Sequence, residues 1–223
     1  MKPLILFKFG MREHLQQFRE GFLYMNSQAW FAAQEKDPPR SDPLEGTSHM
    51  IQPRDIGNIT IEVPKLNLKT IILPADLAAA TTFALEKDAC NIFCMFAVKT
   101  FRMGVFSPSV DPRNYQFGDS FVVVMNTSKF LNRVSAGIKA AGFRGKAALV
   151  EYKDPNSHSG PTGPFWKSSD FEYQNEFRII AQPGSAVARK LPIGDLCDIT
   201  SDIGPMAIVN SCIFQMAPSA KVA

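Results

Sequence analysis

Residues 165–181 read FWKSSDFEYQNEFRIIA. At a period of two, Phe171, Tyr173, Phe177 and Ile179 fall on one face, and Glu172, Gln174, Glu176 and Arg178 fall on the other. The alternation predicts a single β-strand with its apolar face turned to the core. A half-buried strand ordinarily carries scattered charges on its wet face, so four ionic or amide groups in line mark this stretch as a candidate site. Same-face neighbours lie about 6.5 to 7 Å apart along a strand, a spacing at which Gln174 and Glu176 grip one sugar-sized ligand. The plainer alternative is a solvated polar face with no ligand.

The 223 residues suffice for one large domain or two small ones, and a hydrophobic content of 45% supports an ordinary globular core. A net charge of +3 is compatible with nucleic acid without demanding it. No apolar run reaches the roughly 18 residues of a membrane span. The opening MKPLILFKFG meets Lys8 too soon for a secretory signal, so a cytoplasmic protein with no membrane partner is expected. Cys90, Cys94, Cys197 and Cys212 form no CxxC pair, and His14, His49 and His158 are far apart. Buried free thiols are therefore expected rather than a disulfide framework or a metal site.

Outward from the central stretch, residues 3–9 read as a strand and 11–20 as a helix with Leu15 and Phe18 inward and Gly21 as its stop. Residues 22–25 are extended, and Asn26 or Ser27 caps a helix over 28–33. The proline-rich run 34–46, QEKDPPRSDPLEG, reads as a surface loop or a lid, in which Arg40, Asp42 and Glu45 contact a ligand or are simply solvated. Residues 56–72 alternate as a hairpin, 77–87 read as a helix, and 90–101 as a strand buried on both faces. A central strand at 121–125 runs into Asn126-Thr127-Ser128, where Thr127 or Ser128 caps a helix over 129–141. A strand over 147–152, a turn-rich loop over 154–163 with Phe165 and Trp166 at its lip, and a last strand over 206–216 complete an α+β chain.

KFG near the start, LYMN at 23–26, DPLEG at 42–46 and the run from Lys167 to Arg178 together resemble a bacterial protein family associated with phage defence. More distantly, Gln174-Asn175-Glu176 is similar to the Gln-x-Glu element of ADP-ribosyltransferase toxins. The order of motifs in that superfamily, an early basic residue, a Ser-Thr-Ser-like strand end, a recognition loop and then the Glu motif, is kept here. The departures are Lys8 or Arg12 in place of an Arg or His on the first strand, and Asn-Thr-Ser in place of Ser-Thr-Ser.

The resemblance implies a single domain over 1–223 with split mixed or antiparallel sheets and flanking short helices. It implies that NAD is the substrate, without a metal, and that ADP-ribose passes to a nucleic-acid or protein acceptor. Glu176 and Gln174 would be catalytic. Lys8, Arg12, Tyr24, Asn126 and Ser128 would bind NAD, and Phe165, Trp166 and Arg178 the acceptor. An antitoxin protein is a further implied partner. Two other classes stay open: a non-catalytic binding module built on the polar strand, and a magnesium-dependent nuclease using Asp42, Glu45 and Glu176.

Overall fold

Strand β1 (Ile5–Gly10) leads into helix α1 (Arg12–Arg19), β2 (Phe22–Ser27) and α2 (Gln28–Ala32) in the computed structural model, which describes residues 5–32, 42, 44–84, 89–98 and 104–216. Next come β3 (Thr47–Ile51), the hairpin β4 (Ile59–Val63) and β5 (Leu68–Ile72), and β6 (Thr81–Ala84). Then β7 (Asn91–Val98), β8 (Gly104–Phe106) and β9 (Ser120–Val124) precede α3 (Thr127–Ala140). After it lie β10 (Arg144–Leu149), β11 (Glu151–Lys153), β12 (Gly160–Pro161), β13 (Trp166–Ser168) and β14 (Glu176–Gln182). The described chain closes with β15 (Arg189–Pro192), β16 (Gly204–Pro205) and β17 (Phe214–Met216).

The main sheet runs β10-β14-β7-β1-β9-β16 with every neighbour antiparallel, and β2 joins β7 through Asn26 and Ser27 while also pairing β15. The fold is thus α+β, mostly antiparallel, with few and short helices. NIFCMFAV of β7 is apolar at nearly every position because both faces of this strand are covered. On one face Leu15 and Phe18 of α1 and Phe130, Val134 and Ile138 of α3 pack on Leu6, Phe93, Met95, Val122, Phe177 and Ile179. On the other, Phe7, Phe9, Phe96, Phe121, Met206 and Val209 form a second core, with Cys90, Ile92 and Ile180 as a smaller cluster.

Helix ends follow the local chemistry. Gly21 takes φ +93° after α1, and a Cβ there would lie 2.1 Å from the carbonyl oxygen of Gly194. Ser27 Oγ accepts from Trp30 N at 3.0 Å at the start of α2. The cap of α3 is Asn126, whose side chain accepts from Lys129 N at 2.9 Å, rather than Thr127 or Ser128.

Three further sequence expectations need correction. Residues 165–181 are not one strand: β13 is followed by a 3-10 turn over Ser169–Gln174, then Asn175 at φ +42°, and only then β14. Ser168 starts that turn by accepting from Asp170 N, and Asn175 resets the phase of the chain. Phe171 and Tyr173 therefore lie on the turn, half-buried, while Phe177 and Ile179 do face the helix-side core. The helix expected over 77–87 is instead a strand at Thr81–Ala84 pairing β3, where the β-branched TTFA outweighs the preceding alanines; residues 85–88 lie outside the described set. The expected last strand is a 3-10 segment over Met206–Ser211 followed by the short β17. Residues 1–4, Arg40 and residues 99–103 also lie outside the described residues.

Candidate functional site

Antiparallel register decides which side chains meet. Glu176 pairs with Phe96, Arg178 with Cys94 and Ile180 with Ile92, so these residues share the sheet face opposite α1 and α3. On that face Glu176 and Arg178 interrupt the apolar surface between the second core and the Cys90 cluster. Neither is solvated: Arg178 is 1% and Glu176 7% exposed. Burying a charge is tolerated only with partners, and here they come from distant loops. Arg178 Nη1 and Nη2 donate to the two carboxylate oxygens of Glu45 at 2.7 and 2.8 Å. Arg178 Nε and Nη2 donate to Glu176 Oε1 and Oε2, both at 3.2 Å, and Nη1 also donates to Pro164 O at 2.7 Å.

Lys167 of β13 is the second cation of this cluster. Its Nζ donates to Gln174 Oε1 at 2.8 Å, lies 3.6 Å from Glu176 Oε2, and sits 4.8 Å from the centre of the Phe171 ring. Gln174 Nε2 donates onward to Tyr173 Oη at 3.3 Å. Gln174 and Glu176 are thus brought together by one ammonium group rather than by strand alternation. Tyr152 Oη accepts from the Glu176 backbone N at 2.8 Å. Asp42 is buried as well: its Oδ1 accepts from Leu44 N at 2.9 Å and its Oδ2 from Ser168 N at 3.3 Å, which ties the 42–46 loop to β13.

Electrostatics separates the two carboxyl types. Burial alone would push Glu176 up, but the charges of Arg178 and Lys167 and hydrogen bonds from Arg178 and Cys94 hold its pKa at about 2. Asp42 moves the other way, raised chiefly by burial, with its backbone hydrogen bonds and Lys167 opposing. Burial also pushes the Cys94 thiol up, so it stays protonated beside Glu176.

The residues expected to bind NAD lie elsewhere. Phe7 shares the face of Phe96 and Glu176, so its neighbour Lys8 points to the helix side, where Nζ reaches Cys94 O at 2.8 Å and stands over Phe93. Arg12 is exposed on α1. Asn126 caps α3 and Ser128 is exposed; both follow β9, which is three strand positions from β14, or about 14 Å. Tyr24 is 61% exposed on β2. Lys8 and Arg12 thus lie on the helix side of the sheet, away from Glu176, while Tyr24 is on the opposite side of β2 from Leu23 and Met25.

Phe165 and Trp166 line a recess of about 360 Å³ together with Lys146, Glu151, Lys153, Pro161, Thr162, Pro164, Ile180 and Gln182. It lies on the Glu176 face, because Lys146 is the register partner of Ile180. Trp166 is buried rather than at an exposed lip, stacked on His158 with ring centres 5.7 Å apart. Arg178 sits beneath the recess wall, held to Pro164, and is no surface contact.

Glu45 and Lys167 are the members of the cluster that strand periodicity does not reveal. Glu45 lies 133 residues from Arg178 in a proline-rich loop, where no local pattern signals burial. Among the described residues no group of three His, Cys, Asp or Glu side chains is placed to hold a metal ion, and Glu45 and Glu176 are both engaged by Arg178. No helix of the described residues is long and apolar enough to cross a membrane. No family model, curated protein or solved structure matches this chain.

Proposed function

We propose that this chain cleaves NAD and transfers ADP-ribose to a macromolecular acceptor, nucleic acid or protein, on an ADP-ribosyltransferase-like scaffold. One observation carries the reading: Gln174 and Glu176 converge on Lys167, with Glu176 held ionised. When the bond from ribose C1′ to the nicotinamide nitrogen breaks, its electron pair leaves with neutral nicotinamide and the ribose gains oxocarbenium character. A fixed carboxylate stabilises that charge without reorganising, and Glu176 supplies one. The incoming nucleophile then bonds to C1′ while Gln174, a neutral amide, orients it. About a tenth of the Glu176 side chain remains accessible for the ribose. Lys8 and Arg12, on or beyond the other face of the sheet, have no part in this arrangement. A chain that consumes NAD in this way fits a toxin in phage defence, held in check by an antitoxin protein.

A second reading has its own support. Both oxygens of Glu45 and both of Glu176 are already bonded by Arg178, as befits a structural clamp beneath a non-catalytic binding module. Nicotinamide release from NAD separates the two. The transferase reading expects release by the wild type, loss of about a hundred- to thousandfold in Glu176→Gln, and a Gln174→Ala variant impaired in transfer more than in hydrolysis. A folded wild type that releases no nicotinamide, or equal rates in wild type and Glu176→Gln, ends it in favour of the binding module.

A further inference from the structure

The recess beside Phe165 has a chemistry of its own, independent of Glu176. Two ammonium groups, Lys146 and Lys153, border it against one carboxylate, Glu151, and that carboxylate is 3.3 Å from Lys153. Among the described residues Lys146 has no carboxylate partner; its Nζ stands 5.1 Å from the centre of the Phe165 ring. Arg144, exposed and in register with Gln182 at the rim, places a further cation beside the opening. Phe165, Pro161, Pro164 and Ile180 make the apolar part of the wall, and Thr162 and Gln182 add neutral polar groups.

Trp166, another wall residue, is 5% exposed, with its indole Nε1 buried beneath the wall. The volume of about 360 Å³ lies at the lower end of small-molecule sites, room for a mononucleotide-sized ligand.

We infer that this recess binds a nucleoside diphosphate, its phosphates at Lys146 and Lys153 and its base against Phe165. Cations beside an aromatic wall suit a ligand that is anionic at one end and flat at the other. The site stands whether or not the chain cleaves NAD.

The test is calorimetric titration of the full chain with ADP, adenosine and inorganic pyrophosphate, in the wild type and in Lys146→Glu. Lys146 is exposed on the sheet's outer strand, so charge reversal there is compatible with folding, and a thermal melt checks it. ADP is expected to bind the wild type, with adenosine, pyrophosphate and the Lys146→Glu protein each weaker by about tenfold or more. Trp166→Phe, which keeps a ring and removes the N–H, is expected to weaken ADP less than charge reversal does. Absence of ADP binding, an affinity unchanged in Lys146→Glu, or pyrophosphate binding as tightly as ADP overturns the inference. Nicotinamide release is read separately. ADP binding without release keeps the recess and ends the transferase reading. Nicotinamide release without ADP binding keeps the transferase and ends the recess.

Discussion

Arg178 is the residue on which this face of the sheet depends. It is 1% exposed and faces two buried carboxylates, while Lys167 balances the count at two positive and two negative groups. Breaking such a network from one side leaves uncompensated charge, which typically costs about 3 to 5 kcal/mol. Arg178→Met keeps the bulk and removes the charge, and urea unfolding is expected to show a loss of that size. Adding Glu45→Gln to it should recover most of the loss, because Glu176 still pairs with Lys167 and no buried charge is then left alone. A loss under about 1 kcal/mol in the single variant would mean that the pairs contribute little.

Acid should act on the same cluster with a definite sign. The folded pKa of Glu176, about 2, lies below its ordinary 4.5. Its contribution to stability is therefore complete above pH 4.5 and is lost as the pH falls toward 2. Wild type minus Glu176→Gln, followed by denaturant melts between pH 6 and pH 2, should shrink across that window and stay flat above it. Asp42 works in the opposite sense. Its raised pKa gives a contribution present below 3.8 and lost as the pH rises through the folded value, so Asp42→Asn should gain on the wild type toward neutral pH.

At the scale of the element, the junction between the 3-10 turn and β14 is set by Asn175. Its φ of +42° ends the turn and lets Glu176 begin the strand in register with Phe96. An L-residue in the left-handed region is strained by about 1 to 2 kcal/mol, less for Asn, whose side chain bonds locally. Asn175→Gly should leave stability nearly unchanged, whereas Asn175→Val should lower it by about 2 kcal/mol in thermal melts. Equal melting temperatures for all three proteins would show that the left-handed turn is not required.

Across the whole molecule, stability is concentrated in the two cores flanking β7 and β1. Phe7 is fully buried, with the rings of Phe9, Phe96, Phe121 and Phe214 centred 5.9 to 6.2 Å from its own. Phe7→Ala should cost about 3 to 5 kcal/mol. The β4–β5 hairpin is the contrast. Ile61 and Leu68 are 42% and 48% exposed on one of its faces, opposite the Glu62–Lys69 pair, and its strands belong to no larger sheet. Ile61→Thr and Leu68→Thr should each change stability by less than about 0.5 kcal/mol in the same assay.

The sequence by itself determined the framework. Unbroken apolarity named β7 as a strand covered on both sides, Leu15 and Phe18 set the inner face of α1, and Gly21 marked where α1 ends, with positive φ. These are local facts, written in periods of two and 3.6 and in single backbone conformations. Only the tertiary structure decided the site. Period-two reading put Gln174 and Glu176 on one strand face, yet a left-handed Asn175 broke that phase and Lys167 rejoined them in space. The same alternation left Arg178 on a polar face without saying whether that face was wet. Glu45, 133 residues earlier, made it dry, because a buried charge is fixed by whichever opposite charge the fold carries to it, and sequence spacing has no bearing on that distance.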